Sequence, residues 1–372
     1  MQLTNHDSLK GSNRNIRGFA LLMVLMLIVT AATVGISYIY GAQVKTASTG
    51  NLMLATQARY LAESGLQHGI YALQTGEIGF GSSAAPNGPY QIESGDGGYV
   101  FYITSTSTPN DYKIIATGTE SGISQTVSLT ARLSSIYSQK MIETVPTHWW
   151  RLGDTVITAV DQRGTNDGLY VNGVTRSVEG ALAGDVDTAV GFSGSNSHIN
   201  LGMLETLSGS QLTFGCWARA EAWASDNPRL ISRASGTEWF DRRWEISVAS
   251  TRKLRFTLRL ANTVYELYGQ SQIQLGQWYF IVCVYNRTAQ RIHIYLNGEK
   301  DATRGSVLNA DINDSALMEA WIGDCPTTAG QRPWKGDIDE VFIIKGKALG
   351  PTLIKELYET RIPNIKTVSW DD

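Results

Sequence analysis

Cysteine, histidine and proline are scarce, with three Cys, five His and nine Pro in 372 residues. Cys216, Cys283 and Cys325 show no CxxC or other metal-site spacing, and an odd number cannot all pair within one chain. Buried free thiols are the simpler reading and a Cys216–Cys283 bridge the alternative; a disulfide-dependent fold is not indicated. A basic surplus is missing too. Lys and Arg number 31 against 34 Asp and Glu, a net charge of −3, so the chain lacks the excess of positive charge that marks a nucleic-acid binder. The most local absence is of charge itself. From Phe19 to Ala42 there is no Asp, Glu, Lys, Arg, His or Pro, and the flanking charges are Arg17 and Lys45. About 20 apolar residues in a helix cross a bilayer core, so this stretch reads as a single transmembrane helix.

What is present then divides the chain. Its length allows two or three domains. Gly is frequent, at 37, and Ser and Thr are dense after Gly76, which together with short apolar alternations reads as mostly β. Residues 1–18 form a polar leader carrying Lys10, Arg14 and Arg17 against Asp7. Positive charge stays on the cytoplasmic side, so the helix runs N-in, C-out. Thr30-Ala31-Ala32 could pass for a signal-peptidase site, but the apolar run continues beyond it. A helix of residues 19–76 follows, because Leu54, Ala58, Leu61, Gly65, Leu66, Ile70 and Leu73 recur at spacings of three and four and make one apolar stripe. Gly76 suits a left-handed C-cap. His68 on this helix reads as a polar surface or packing residue rather than a ligand.

The order of polar leader, Arg17-Gly18-Phe19 and apolar run resembles a type IV (class III) prepilin signal. That resemblance implies cleavage after Gly18 by a prepilin peptidase in the bacterial cytoplasmic membrane, leaving Phe19 at the mature N-terminus. The fifth mature residue, Glu in most pilins, is Met23 here. In the family that Glu pairs with a neighbour's terminal amine in a low-dielectric filament core; without it the resemblance implies a minor subunit among pilin-like partners, not a repeating one. An uncleaved signal anchor is the alternative. Gln57-Ala58-Arg59-Tyr60-Leu61-Ala62-Glu63-Ser64-Gly65-Leu66 resembles the corresponding stretch of minor pilin-like proteins of the PilX and mannose-sensitive haemagglutinin biogenesis type.

Residues 77–133 read as a small antiparallel β domain. Gly79 to Gly88 is loop-like, and strands are predicted at Tyr99–Thr104, Asp111–Thr117 and Gln125–Ala131. So small a sheet cannot stand alone; packing on the apolar stripe of the preceding helix would bury both. Residues 134–147 read as a linker and 360–372 as a tail.

Residues 148–359 have the texture of a β-sandwich, with many short strands and Gly, Asn and Asp turns. Trp278 to Tyr285 is apolar at nearly every position, as a strand buried on both faces should be. Arg291 to Leu296 alternates, and Asn297-Gly298 suits a two-residue hairpin turn. His148-Trp149-Trp150-Arg151-Leu152-Gly153-Asp154, Ala189 to Gly194, Leu212 to Ala218, Gly276 to Val282, Ile292 to Gly298 and Trp334 to Val341 resemble, in order, the successive strands of laminin-G-like (concanavalin A-like lectin/glucanase) domains. The resemblance implies a jelly roll. The whole chain is thus expected to be mainly β, with a long N-terminal transmembrane helix, a small pilin-like sheet and a jelly-roll sandwich.

Fold does not decide between lectin and hydrolase. A retaining glycosidase needs two carboxylates about 5 Å apart. The sandwich glucanases place them as Glu-x-Asp-x-x-Glu, whereas this chain has Asp337-Ile338-Asp339-Glu340-Val341-Phe342-Ile343. Ile343 stands where the last Glu would be, so no catalytic residue is assigned. Glu238, Asp241 and Glu245 read as a polar loop around Trp239 and Trp244. Asp161, Asn166 and Asp167 form an oxygen-rich turn, with Asp339 expected nearby from the resemblance. Hard cations take such ligands, so Ca²⁺ is one reading and a metal-free Asx-turn network the other. Exposed aromatics can serve as sugar platforms. Trp223, Trp239, Phe240, Trp244, Trp321 and Trp334 qualify, and the preferred ligand site is Trp239, Phe240, Arg242 and Trp244. Arg252-Lys253-Leu254-Arg255 reads as a solvated hairpin edge. The expected function is a minor pilin-like surface protein, its sandwich exported to the periplasm, cell surface or pilus and binding a glycan or surface-protein ligand. A lectin-like receptor outside any pilus and a surface glycan hydrolase are the alternatives.

Overall fold

The structure is a computed structural model describing residues 23–32, 48–75, 78–92, 96–108, 110–207, 209, 211–234, 242–315, 317–326 and 329–371. Residues 23–32 are helical, and among the described residues no helix is long and apolar enough to cross a membrane. Gly18, Phe19, Gly76 and the rest of the charge-free stretch lie outside the described residues. The chain divides into two compact units: Met1–Thr106 with Asp111–Ala131 and Thr367–Asp372, and Ser107–Asn110 with Arg132–Lys366.

In the first unit the helix Ser48–Thr75 lies on a five-stranded sheet. The predicted strands appear as Gly98–Ser105, Asp111–Glu120 and Ile123–Ser134. Asn87–Gln91 adds a strand at one edge, and Asn364–Asp371, expected to be a tail, adds one at the other by pairing beside Ile123–Ser134. An unpaired edge strand is a template for misassembly, and the end of the chain covers this one. The buried helix face is made largely of small residues: Ala58, Ala62, Gly65, Gly69 and Ala72, with Leu61, Leu66 and Leu73. Leu54 and Ile70 of the expected stripe are only half-buried. Small residues let the backbones approach, and Gly118 takes the closest position. A Cβ there would lie 2.1 Å from the Ala58 carbonyl oxygen and 2.4 Å from the Ala62 nitrogen. Gly118→Val should therefore destabilise this unit by about 2–3 kcal/mol, read as lost amide-exchange protection along Ser48–Thr75; unchanged protection would mean that the helix does not rest on this strand.

The second unit is a jelly-roll-like sandwich of two eight-stranded sheets. The front sheet runs Thr263–Gln272, Lys253–Leu260, Arg242–Val248, Arg229–Ala234, Ala320–Ile322, His198–Asn200, Gly168–Val171 and Thr158–Ala159. The back sheet runs Glu299–Arg304, Arg291–Leu296, Trp278–Asn286, Gln211–Ala220, Lys335–Lys345, Ala189–Ser193 and Thr175–Val178, with His148–Trp150 pairing on Lys335–Lys345. One core holds alternate residues of both sheets, such as Ile281, Cys283 and Tyr285 with Trp244, Ile246 and Phe256.

The opposite face of the back sheet is also buried. Trp217, Phe280, Val282 and Phe342 pack there against Tyr137, Met141, Ile354 and Leu357. These come from two helices, Tyr137–Thr144 and Pro351–Glu359, so the expected linker is in part a covering helix. Burial on both faces explains the apolar run of Trp278–Asn286. Asn297 and Gly298 both take positive φ, 52° and 80°, as a tight hairpin requires. The three thiols are free and buried. Phe214, not Cys216, stands opposite Cys283.

Candidate functional site

The closing strand Lys335–Lys345 carries the acids of interest, and its alternation breaks at one point. Ile338, Val341 and Ile343 face the core, whereas Phe342 and Ile344 face the helix-covered side. Strict alternation would put Asp339 and Glu340 on opposite faces. A bulge prevents this. Gly215 opposes Phe342 but Trp217 opposes Asp339, so Cys216 faces two residues. Glu340 absorbs the extra residue with φ of 52°, a left-handed conformation that costs a non-glycine residue roughly 1–2 kcal/mol. Both carboxylates thereby emerge on the covered side, where Asp187 joins them. One oxygen from each of the three lies within 4.8 Å of the others.

One guanidinium organises this group. Arg151 Nε donates to Glu340 Oε1 at 2.9 Å and lies 3.2 Å from Asp187 Oδ2, while Nη2 lies 2.9 Å from Asp185 Oδ2. The Trp149 indole donates to Glu340 Oε2 at 2.6 Å, and the Ala181 amide donates to Asp339 Oδ2 at 2.9 Å. Asp339 Oδ1 is buried without a hydrogen-bond partner. Four carboxylates thus face one cation, and isolated buried charge is costly. Burial pushes the Asp339 carboxyl up to about 7, and Glu340 well above the usual carboxylate range, against the pull of Arg151. Burial also raises Asp187. Either protons or a further cation must balance the group. Three carboxylates with one orphaned oxygen suit a hard divalent ion; Asp187, Asp339 and Glu340 would hold it, with Arg151 competing for the same oxygens.

The expected metal turn is built differently. Asp161 Oδ1 accepts the amides of Trp149, Arg163 and Gly164 at 3.0, 3.2 and 2.9 Å. Its Oδ2 accepts the Asn166 amide at 3.2 Å and His148 Nδ1 at 2.7 Å. Burial alone would raise this carboxyl, but the His148 contact and the amides together lower it. Asp167 Oδ1 accepts the Asp161 amide at 2.8 Å, and the Asn166 carbonyl accepts the Trp150 indole at 2.8 Å. Both Asp161 oxygens are engaged in an Asx-turn network, and the cluster around Asp339 does not include Asp161, Asn166 or Asp167. The structure thus groups Asp339 with Asp187 and Glu340, while Asp161 lies in its own turn network.

The described residues of the preferred ligand site, Arg242 and Trp244, lie in the front sheet. Trp239 and Phe240 lie outside the described residues. Trp244 is fully buried and faces the core, so it presents no flat surface. Arg242 is buried and bound to acids, with Nη1 at 2.8 Å from Glu266 Oε1 and Nε at 3.7 Å from Glu245 Oε2. Glu245 is the hub of the front sheet's outer face. Arg229 Nε lies 3.1 Å from its Oε2 and Arg255 Nη2 3.1 Å from its Oε1. Burial would raise this carboxyl, and the arginines outweigh burial and lower it. Further along the face His198 stacks on Trp321 at 3.7 Å, and the Trp321 indole donates to Glu319 at 2.8 Å. Trp334 is buried, while Trp223 is half-buried beneath Arg252, whose Cζ lies 4.8 Å from the ring centre. Among the acids of 337–340, Asp337 pairs with Arg219 at 2.8 Å and the other two are buried, so they present no solvent-facing carboxylate pair.

Residues 193–355 match the family model for the concanavalin A-like lectin/glucanases superfamily, of laminin-G type. The chain carries a laminin-G-like domain. Comparison with curated proteins gives no match. Solved structures with a similar fold include a heptameric pentraxin from Limulus polyphemus, at 20% identity, covering 45% of this chain and 80% of that one with a TM-score of 0.36. Domain 4 of the arabinanase AbnA from Geobacillus stearothermophilus, in complex with arabinotriose, is 18% identical over 57% of this chain and 98% of its own, with a TM-score of 0.41. The CBM40 of a Ruminococcus gnavus sialidase bound to α2,3-sialyllactose is 15% identical over 41% and 84%, with a TM-score of 0.36.

The buried acids make a signed pH prediction. A carboxyl whose folded pKa is raised holds its proton more tightly when folded, so its contribution to stability is present at low pH and fades from about pH 4 to the folded value of about 7. Without metal, unfolding by urea should become easier by roughly 2–3 kcal/mol between pH 5 and pH 8. Added Ca²⁺ should reverse much of that loss at pH 8 and change little at pH 5. A pH-independent stability would contradict the buried charge surplus, and Ca²⁺-independence at pH 8 would leave protons as its only balance.

Proposed function

We propose that this protein is a minor pilin-like, membrane-anchored surface protein whose laminin-G-like module binds carbohydrate, displayed at a filament tip. The observation carrying the binding part is the unequal treatment of the two sheets. The back sheet is closed by the helices Tyr137–Thr144 and Pro351–Glu359, whereas among the described residues no helix packs on the front sheet. Its outer face carries arginines, glutamates, the buried stack of His198 on Trp321 and, toward one edge, the 46%-exposed Tyr268. Polar groups with aromatic rings on a rigid sheet suit recognition of hydroxyl-rich ligands. The module's family is one of lectins and glucanases, and the buried position of Asp339 and Glu340 favours the lectin. A Ca²⁺ ion at Asp187, Asp339 and Glu340 would offset charge behind the back sheet.

The anchor rests on different support. Met23 to Val29 are apolar yet exposed, Met26 by 66%, an arrangement that suits lipid better than water. The Arg17-Gly18-Phe19 junction and the basic leader support insertion in the bacterial cytoplasmic membrane, N-in and C-out, with processing by a prepilin peptidase and assembly with pilin-like subunits. Co-expression with a prepilin peptidase should give a mature chain beginning at Phe19, read by N-terminal sequencing. A chain still carrying residues 1–18 would leave an uncleaved anchored receptor in its place. Arabinotriose and α2,3-sialyllactose, the sugars of two similar folds, belong on a first glycan array. Binding without turnover is expected, and hydrolysis of a bound glycan would replace the lectin with an enzyme.

A further inference from the structure

Resting on the lectin reading, we infer that the bound glycan carries a carboxylate, taken by Arg252 in a site that Trp223 and Ser225 complete at one end of the sandwich. Loops build this end. The Glu221 amide donates to the Lys335 carbonyl and the Val248 amide to the Pro228 carbonyl, both at 3.0 Å. Gly194 allows a close approach beside them: a Cβ there would lie 2.7 Å from Lys335 Cβ and 2.9 Å from Ala224 Cβ. Residues 221–228 are thereby held between the closing strand and the tight turn 249–253, which joins Arg242–Val248 to Lys253–Leu260. Loops fixed on a rigid scaffold are where binding residues collect.

Hydrogen bonding is incomplete here. Buried polar atoms almost always have a partner, yet Arg252 Nη1, Ser225 Oγ and Trp334 Nε1 are buried without one. All three belong to the neighbourhood of Trp223, which is half-buried. Trp334 meets it edge-on with ring centres 6.4 Å apart, Arg252 Cζ stands 4.8 Å from its centre, and Ser225 follows it by two residues. Charge is incomplete as well. Residues 221–228, 249–253 and 329–335 hold Arg252, Lys253, Arg332 and Lys335 against Glu221 and Asp226, and among the described residues none of these four bases forms an ion pair. Arg252 also takes φ of 65°, a left-handed conformation that is costly for an L-residue and free for glycine. Such an outlier points to a use for the side chain. A half-buried guanidinium that stacks on an indole and lacks an acid is a fork shaped for a carboxylate. The ring and the Ser225 hydroxyl offer the apolar and polar contacts that a sugar needs. The turn first read as a solvated hairpin edge thus becomes the arm that takes the acid group.

The test uses the full-length protein in detergent, titrated calorimetrically with two carboxylated probes and their neutral counterparts: α2,3-sialyllactose with lactose, and digalacturonate with its dimethyl ester. At least one acid should bind roughly tenfold more tightly than its counterpart, and the difference should shrink as NaCl rises. Arg252→Gly and Arg252→Gln should erase that difference. The glycine variant should melt close to the wild type, because glycine accepts the turn's backbone. Trp223→Ala should weaken acid and neutral probes alike. Arg291→Gln, on the other sheet, should leave every value unchanged; an equal loss there would mean unspecific charge attraction and overturn the inference. So would wild-type discrimination in Arg252→Gly. Glycans bound with no preference for a carboxylate would overturn the acidic ligand and leave the lectin standing, while binding of no glycan at all would remove both.

Discussion

Four carboxylates around Arg151, two of them buried and two half-buried, are the constraint on which the sandwich is built. Asp185 and Asp187 come from the segment before one back-sheet strand, Asp339 and Glu340 from the closing strand, Trp149 from the strand His148–Trp150 and Arg151 from just after it. These contacts tie residues 149–151 to residues 339–340, so the module's two ends are held by charge as well as by strand pairing. Such a cluster contributes little net stability once desolvation is counted, but breaking one member leaves the others uncompensated. Its value lies in specifying one arrangement. The bulge at Glu340, costly in backbone terms, is retained because it delivers both acids to the same side of the sheet.

That choice of side sets how the two sheets are covered. The acids, the indoles of Trp149 and Trp217 and the two covering helices all occupy the back of the sandwich. A sheet closed on both faces can carry apolar residues at almost every position, as Trp278–Asn286 does. Among the described residues no helix packs on the front sheet, whose outer positions are polar and mostly buried. Polarity on that face is itself layered: Glu245, fully buried, draws three arginines inward, while Arg243 and Arg259 remain nearer the surface. The first unit follows a different logic. Its helix and sheet meet through Ala and Gly, and the contact at Gly118 is backbone against backbone.

Much of this was legible in the sequence because it depends on local periodicity. The helix ending near Thr75, the strands around Val100, Ile114 and Leu129 and the Asn297-Gly298 turn follow from spacing and turn chemistry. The β-sandwich texture was readable for the same reason, while its laminin-G-like character came from the resemblance of particular segments. The strand Asn364–Asp371 and the helix Tyr137–Thr144 were not, since neither has a strong pattern and each forms because an exposed edge or apolar face elsewhere needs covering. Site residues were harder still. Asp339 was singled out, but its partners Asp187 and Glu340 are brought to it by a bulge and a crossover, and Asp161 is saturated by its own turn.

The sequence by itself determined which segments are apolar, where the chain turns and that its acids include no glucanase motif, because these properties reside in neighbouring residues. Only the tertiary structure decided which face of each sheet is closed, which carboxylates share a site and which tryptophans are hidden. Those outcomes depend on register. One extra residue opposite Cys216 moves Glu340 from the core side to the side of Asp339, and no local pattern records a shift that strand pairing alone creates.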